Sequence, residues 1–589
     1  MYLSPNSTQY LNITNTFLNR SRSIWGNRRS SMEGISDQEK SIVDTELQTK
    51  LLLDSDHDRK GGLRTMPFII VNEAFERVAS YGLMPNMIFY LMEVYHMEAV
   101  TGTSILSVWS ALSNGLSIFG ALMADSYLGR FRVIALGSLS TLLGMIFLWL
   151  TSMFPQLTPS TCTELATNCS PATPTQLALL FTSFGLLSIG CGCIRPCSMA
   201  FGADQLNNHD RNHNNQRLLD SYFNWYYASA AFSTVIAFTV VVYIQDQYGW
   251  RVGFAIPVLF MVCSAFMFLL GSPLYVKVKV GESPVLGFVQ VLVVAFKKRK
   301  VSVGRDNCYN HSEGMDQVEL TDNLRFLNKA CVLSDSIMDS SVTDPWSVST
   351  VEKVESLKSL IRIAPIWSTG IMLFTTSSQS YPTLQAKTMN RHITQSFEIP
   401  PASFVLFMVV TLAIWIAFYD RILVPILAKH THQPRGLHPK TRMGIGLLIS
   451  VMAMIVSAIV ETVRRHVARS GHDMSALWLV PQYALLGLAE AFNAVGQMEF
   501  YYSELPKSMS SIAMAVFMVS NGFSGLFGSF LVNVVDSVSS EGGDVSWLAS
   551  DINEGHVDYY YWLLGFLNLI NFFYFLICCR LHRSISSSP

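Results

Sequence analysis

Apolar segments long enough to cross a lipid bilayer recur along this chain, and this repetition limits its fold more than any other feature. A helix needs about 20 mostly apolar residues to span the hydrocarbon core of a bilayer. A window of that length identifies twelve segments, six on each side of a polar stretch from Lys277 to about Val351. Half of the residues are hydrophobic and only 14% are charged, which is typical of an integral membrane protein. The segments are residues 66–92, 103–124, 131–154, 177–202, 218–243, 250–273, 356–379, 401–427, 442–463, 476–502, 510–536 and 557–580.

This arrangement predicts an all-α membrane protein with twelve transmembrane helices in two six-helix bundles. Two such halves joined by a hydrophilic linker are the layout of the major facilitator fold, in which the bundles rock about a central site. We expect a disordered cytoplasmic tail at residues 1–60, bundles at 61–275 and 352–582, a cytoplasmic linker at 276–351 and a short cytoplasmic tail at 583–589.

Basic residues near the segment ends predict that both termini are cytoplasmic. Arginines and lysines concentrate on the cytoplasmic side of membrane proteins, and Arg130, Arg132 and the run 297–300 fall on the side of the N-terminal tail. Arg464, Arg465 and Arg469 depart from this pattern, since the same topology places them outside. The opposite side carries residues 162–169, with a possible glycosylation site at Asn168 and a disulfide between Cys162 and Cys169 that spacing alone leaves open.

Several classes of function receive no support from the sequence. A net charge of −1 gives no argument for nucleic acid binding, and we find no phosphate-binding loop, zinc protease motif or zinc-ligand spacing. ATP-driven pumping and membrane-bound catalysis are therefore not indicated, and we predict neither a cofactor nor a metal. The expected partners are protons, a small solute and the lipid bilayer.

Three ionisable residues, Glu73, Glu76 and Arg77, lie inside the first apolar segment. Each charge costs about 2.5 to 3.5 kcal/mol at the centre of a membrane helix, so such a cluster usually marks the path of an ion, a proton or a substrate. Their spacing places them on one face of a helix, within mutual reach. They are our candidates for proton coupling, and an ion pair that only tethers helices is the alternative.

Two further charges stand alone inside other segments. Arg195 lies in a stretch with Gly190, Gly192 and Pro196 and has no carboxylate in its own segment. We therefore expect a glutamate of the first segment as its partner, and a purely structural ion pair remains the alternative. Glu490 likewise has no charged neighbour close to it. A guanidinium offers bidentate hydrogen bonds to nitrate or a carboxylate, so an anionic substrate is expected at Arg195. Glu490 is a candidate for the same substrate site, facing the cavity from the opposite bundle.

The turn between the second and third segments carries a spaced set of polar residues. Asp125 precedes Gly129 and Arg130 by four and five residues. Asp125 can cap or pair across this turn while the arginine anchors at lipid headgroups. We predict that the three residues form a cytoplasmic latch between the bundles.

Short motifs follow one another along the chain at Glu73–Arg77, Ala124–Arg130, Phe201–Gln205, Tyr222–Tyr227, Gln385–Arg391 and Tyr419–Arg421. In this order they resemble the proton-coupled oligopeptide transporters, and within them the plant nitrate/peptide transporter family. The resemblance covers the chain from about residue 61 to the end. It implies proton-driven symport of nitrate or, in some relatives, of dipeptides, hormones or glucosinolates.

Two departures from the family pattern bear on the substrate. Arg195 stands where the family often has lysine, and Ser377 stands where a well-studied nitrate transporter has histidine. We therefore expect a symporter that carries a small anion, with nitrate at low affinity as the first candidate. An organic anion, a dipeptide or a sensor role are the alternatives. The resemblance implies a location in the plasma membrane. The further candidates for the substrate site are Trp367, Ser377, Gln379, Asn493 and Gln497.

Overall fold

The computed structural model describes most of the chain from residue 61 onwards. The predicted tail at 1–60, the Cys162–Cys169 pair and Asn168 lie outside the described residues. The described ranges are 61–159, 171–207, 214–278, 284–300, 310, 320–333, 346–395, 397–431, 436–506 and 510–586.

Helices form nearly all of the first half, at the positions of the apolar segments. The break at residues 84–86 divides the first predicted segment into two helices. Five residues of π-helix follow α4 at Ala124–Leu128, and five more follow α7 at Ala237–Val241. The helices are α1 (Met66–Leu83), α2 (Met87–Glu93), α3 (Ala99–Gly115), α4 (Ser117–Met123), α5 (Arg130–Met153), α6 (Pro174–Asn207), α7 (Asn214–Ile236) and α8 (Val242–Leu270).

The linker and the second half continue the helical pattern. A short hairpin of β1 (His392–Thr394) and β2 (Phe397–Glu398) is the single sheet among the described residues. A third π-helical turn, Tyr419–Leu423, separates α13 from α14. The helices are α9 (Pro284–Lys297), α10 (Arg325–Asn328), α11 (Val351–Ser377), α12 (Tyr381–Lys387), α13 (Val405–Phe418), α14 (Val424–Thr431), α15 (Pro439–Arg469), α16 (Val480–Glu504), α17 (Ser510–Ser539) and α18 (Val557–Ser586).

Nine stretches of the described chain are long and apolar enough to cross a membrane. One of them, Ser221–Leu270, contains Gly249 with φ of 75°, a left-handed conformation that interrupts the helix. The helices that carry Glu73 and Glu490 are not among the nine. The protein is therefore a multi-pass membrane protein that is almost entirely helical in its described residues.

The linker holds an apolar helix that the sequence analysis missed. α9 has 14 residues and is too short to register in a window of about 20. Its residues Val291 and Val294 are buried against Val351 and Val354 at the start of α11. The polar stretch between the halves is thus partly folded against the second half.

The two halves pack together at the end of the molecule where α2 finishes. Ile88 and Phe89 of the first half share a buried cluster with Tyr381 and Leu384 of the second. Near the middle, α17 approaches α3 so closely that a Cβ added to Gly525 would lie 2.4 Å from the carbonyl oxygen of Ser107. Small residues permit such close helix contacts in membranes.

The arginines that departed from the predicted topology lie inside a helix, not after it. α15 extends to Arg469, six residues beyond the predicted end of its segment. Nε and Nη2 of Arg464 donate to the two carboxylate oxygens of Glu461, each at 2.7 Å, and both side chains are almost fully buried. Arg465 donates to Asp558 at 2.9 Å. Arg464 and Arg465 are thus neutralised by internal partners, which the count of basic residues could not register, whereas Arg469 is exposed.

Candidate functional site

The first-segment charges lie on α1, and two of them pair. Nε of Arg77 donates to Oε1 of Glu73 at 2.7 Å, across one helical turn. Ser198 of α6 donates to the other oxygen of Glu73 at 2.7 Å. Glu76 instead accepts a hydrogen bond from Ser80, also at 2.7 Å. Glu73 and Glu76 are each only 2% exposed, so α1 carries two carboxylates into the interior of the first half.

Arg195 occupies the same region but does not form the expected direct ion pair. Its Nη1 lies 3.5 Å from Oδ1 of Asn114, and its guanidinium lies 5.4 Å from the ring centroid of Tyr81. Within the described residues, no carboxylate oxygen lies within 4.0 Å of this guanidinium. Glu76 is close enough for its charge to interact with that of Arg195. The guanidinium of Arg77 lies 6.0 Å from the Tyr81 ring, so both arginines approach one aromatic side chain.

Glycines bring α6 close against its neighbours. A Cβ on Gly190 would lie 1.9 Å from Oγ1 of Thr141 in α5, and one on Gly192 would lie 2.7 Å from Cβ of Leu116. Both distances are too short for a side chain. This close packing holds α6, and with it Arg195, against the neighbouring helices, because α6 cannot move away from them without losing these contacts.

The predicted latch includes an additional carboxylate. Nη1 of Arg130 lies 2.6 Å from Asp204 at the end of α6, whereas its Nη2 lies 3.4 Å from Asp125. Gly129 has φ of 80°, which a residue with a side chain rarely adopts, and it turns the chain from the π-helix into α5. The sequence analysis missed the contact of Asp204 with Arg130, although the segment Phe201–Gln205 was a motif match that could have indicated it. Both ion pairs of Arg130 lie within the first half, so the latch between the bundles stays a prediction.

Glu490 lies on α16 with one carboxylate oxygen unpaired. Its Oε2 is buried and has no hydrogen-bond partner among the described residues. Asn493 and Gln497 lie on the same helix and are fully buried. Gln497 donates to Asn493 at 2.6 Å, and Asn493 donates to the carbonyl of Met443 at 3.2 Å. Their amides are thus committed to internal hydrogen bonds, whereas Glu490 is not.

The candidates near α11 also make internal contacts. Trp367 donates to the carbonyl of Val516 at 2.9 Å. Ser377 donates to the carbonyl of Phe374 at 3.3 Å. Gln379 accepts a hydrogen bond from Tyr560 at 2.9 Å. These contacts position the side chains but leave parts of Trp367, Ser377 and Gln379 accessible, since none of the three is fully buried.

Comparison with known proteins shows the family. The sequence model described as the POT family matches residues 131–548. The chain belongs to the POT family. The POT family is a family of transporters and not of enzymes, so this protein is a transporter.

Curated relatives place this POT family member among the plant proteins of the NRT1/PTR family. It is 48% identical to Protein NRT1/PTR FAMILY 1.2 of Arabidopsis thaliana, over 88% of this chain and 89% of the relative. It is also 48% identical to Protein NRT1/PTR FAMILY 1.1 of the same plant, over 88% of this chain and 91% of the relative. The predicted family is therefore confirmed.

Solved structures of POT family transporters share the fold. The in meso crystal structure of the POT family transporter PepTSo superposes with a TM-score of 0.66 at 18% identity, covering 89% of this chain and 99% of that one. A POT family transporter in complex with 5-aminolevulinic acid gives a TM-score of 0.60 at 16% identity, covering 89% and 98%. At these identities the likeness establishes the fold alone.

Proposed function

We propose that this transporter is a proton-coupled symporter that moves a small anionic solute by alternating access, with nitrate the preferred candidate. The unequal pairing of two partly buried arginines supports this proposal. Arg77 is held by Glu73 at 2.7 Å, whereas Arg195 has the amide of Asn114 and the ring of Tyr81 as direct partners. Arg195 therefore retains hydrogen-bond donors for an anion.

Proton coupling follows from the carboxylates beside these arginines. A proton on Glu73 removes the negative charge that holds Arg77, and a proton on Glu76 removes the charge that acts on Arg195. Each event frees a guanidinium for a planar anion such as nitrate or a carboxylate. Uptake of a proton and binding of the anion then favour each other, which is the requirement for symport.

A zwitterionic substrate such as a dipeptide is the second candidate. It is favoured by Glu490, whose Oε2 is buried without a partner and suits an ammonium group. The solved relative bound to 5-aminolevulinic acid belongs to the same family. If nitrate is the substrate, the serine at position 377 in place of histidine argues for low affinity.

The proposed membrane arrangement has twelve spans in two six-helix bundles, residues 61–275 and 352–582, with both termini cytoplasmic. Gly249 divides the longest apolar stretch into two spans. The helices at 66–93 and 480–504 complete the set, because their glutamates lower the mean hydropathy but serve the transport path. We place the protein in the plasma membrane and the Arg130 latch on its cytoplasmic side.

Uptake of labelled nitrate by oocytes under voltage clamp at acidic external pH tests the coupling. Glu73→Gln and Glu76→Gln remove a titratable group at nearly constant volume, so each should reduce proton-driven uptake by about tenfold or more. Glu98→Gln is the matched control, since Glu98 is exposed and precedes α3. Full pH dependence in both variants, at surface expression equal to the control, would refute the assignment.

Arg195 variants test anion binding separately. Arg195→Lys should retain partial transport, because the charge survives while the bidentate fork is lost. Arg195→Ala should abolish nearly all of it, since the anion loses its cation. Arg251→Gln is the control, because that arginine is exposed and donates to the carbonyl of Ser152. Near-normal uptake by Arg195→Ala would show that the anion binds elsewhere.

A further inference from the structure

The linker helix α9 is apolar on two faces, and only one of them is buried within the described part of the chain. Val291 and Val294 pack into a cluster with residues of α10 and of the start of α11. Val289, Leu292 and Phe296 are 46%, 48% and 69% exposed. Their spacing of three and four residues places them in one stripe along the helix. A continuous exposed apolar stripe, unlike a single exposed apolar residue, marks an interaction surface.

The composition of α9 is unusual for a helix that does not cross a membrane. Gln290 and Lys297 are the polar residues among its 14. Gln290 is buried, so the exposed stripe has no polar side chain before Lys297. A helix that faces water normally carries polar residues on its outer face. The outer face of α9 therefore suits an apolar medium.

The contacts of α9 hold it beside a helix that enters the membrane. The stretch Val351–Lys387 is long and apolar enough to cross a bilayer. Val351 and Val354, in the first turn of this stretch, belong to the buried cluster that holds α9. Val354 lies two residues before the predicted segment 356–379, which is a rise of about 3 Å along a helix. α9 thus lies close to the level at which α11 enters the bilayer.

A basic run directly follows the exposed stripe. Residues 284–300 contain four basic side chains, at positions 297 to 300, and no acidic one. Arg299 and Lys300 are exposed. The guanidinium of Arg299 lies 4.9 Å from the ring centroid of Phe296, so positive charge lies at the end of the stripe.

The two lysines of this run keep their charge for a partner. Nζ of Lys297 donates to the carbonyl of Trp346 at 3.3 Å, and Nζ of Lys298 donates to that of Val332 at 2.7 Å. A carbonyl has no net charge, so these contacts do not neutralise the lysines. The side chain of Trp346 is itself exposed, and tryptophan is enriched where proteins meet the membrane surface.

We propose that α9 lies in the surface of a bilayer that contains anionic phospholipids, with the exposed stripe between headgroups and acyl chains and with Arg299 and Lys300 at the anionic headgroups. An apolar helix face and adjacent basic residues bind such a surface through buried apolar area and electrostatic attraction together. Each basic residue near an anionic membrane favours binding about fivefold. A second copy of this chain fits less well, because two runs of four cations would repel each other.

Photo-crosslinking of the full chain in nanodiscs tests the proposal without a transport assay. The photoreactive p-benzoylphenylalanine takes the place of Phe296, in a bilayer of phosphatidylcholine and phosphatidylserine at four to one. We expect lipid adducts in which the ratio of phosphatidylserine to phosphatidylcholine exceeds that of the bilayer about fivefold or more. The same replacement at Leu292 should agree, which excludes an effect of one substitution on folding. At Phe266, an exposed residue of the apolar helix α8, the adducts should follow the bilayer ratio.

Variants identify the residues that select the lipid. With the photoreactive group at position 296, Arg299→Gln combined with Lys300→Gln should remove most of the enrichment. Arg325→Gln is the matched control and should leave it unchanged, since Arg325 is an exposed linker residue on α10 that pairs with Asp322. Adducts in the bilayer ratio at positions 292 and 296 would overturn the selection of anionic lipid. Cross-links from both positions to this chain or to a second copy, in place of lipid, would overturn the membrane contact.

Discussion

Breaking the buried ion pair between Glu461 and Arg464 should strongly destabilise the second half. The two side chains are 0% and 1% exposed and share two hydrogen bonds of 2.7 Å. Removing one partner of a buried pair leaves an uncompensated charge and typically costs about 3–5 kcal/mol. Arg464 also donates to Thr388 and Asn553, so it cannot reach water without breaking further bonds. We therefore expect Glu461→Gln to destabilise the fold by about 3–5 kcal/mol.

SDS titration of the purified protein in mixed micelles measures this change, with Glu93→Gln as the matched control. The Glu93–Lys387 pair is nearly half exposed, so its loss should cost no more than about 1 kcal/mol. The double variant Glu461→Leu with Arg464→Met should recover most of the loss, because apolar groups of similar volume can replace a buried pair at little cost. A Glu461→Gln variant as stable as the Glu93→Gln control would refute this reasoning.

Three further perturbations have defined outcomes. Gly120→Ala should cost about 1–3 kcal/mol or more in the same titration, because its Cβ would lie 2.1 Å from the carbonyl oxygen of Gly192. Asp204→Asn should slow uptake if the contact with Arg130 at 2.6 Å latches the transporter, and unchanged uptake would exclude that role. Burial and the neighbouring arginine lower the pKa of His556, so the unfolded chain binds more protons there. Stability should fall as the pH decreases through about 6.5, and His556→Gln should reduce that fall in melting temperatures taken at about pH 7.5 and 5.

The sequence predicted the helices well, because hydropathy over about 20 residues reports directly on the bilayer. The prediction ended one segment at residue 463, whereas α15 runs to Arg469. That error arose because two arginines in sequence look like a segment end, and their partners are visible only in three dimensions. The sequence analysis missed the short apolar helix α9, because a helix that does not need to cross the membrane can be shorter than a window of about 20 residues.

The candidate site was only partly accessible to sequence reasoning. Spacing on one helix correctly brought Glu73 and Arg77 together, because i and i+4 residues are neighbours. The partners of Arg195 could not be found in this way, since Asn114 and Tyr81 come from two other helices. Direct pairing of Arg195 with a first-segment glutamate was expected, and the structure instead places an amide and an aromatic ring there.

The ion pairs of α15 imply an order of events during synthesis. Arg464 finds Glu461 within its own helical turn, so it can be neutralised as soon as that helix forms. Arg465 has to wait for Asp558, which is 93 residues further along the chain. At typical rates of synthesis this interval lasts roughly 5 to 20 s. Until then Arg465 lacks this carboxylate partner, which is supplied by the last helix, α18.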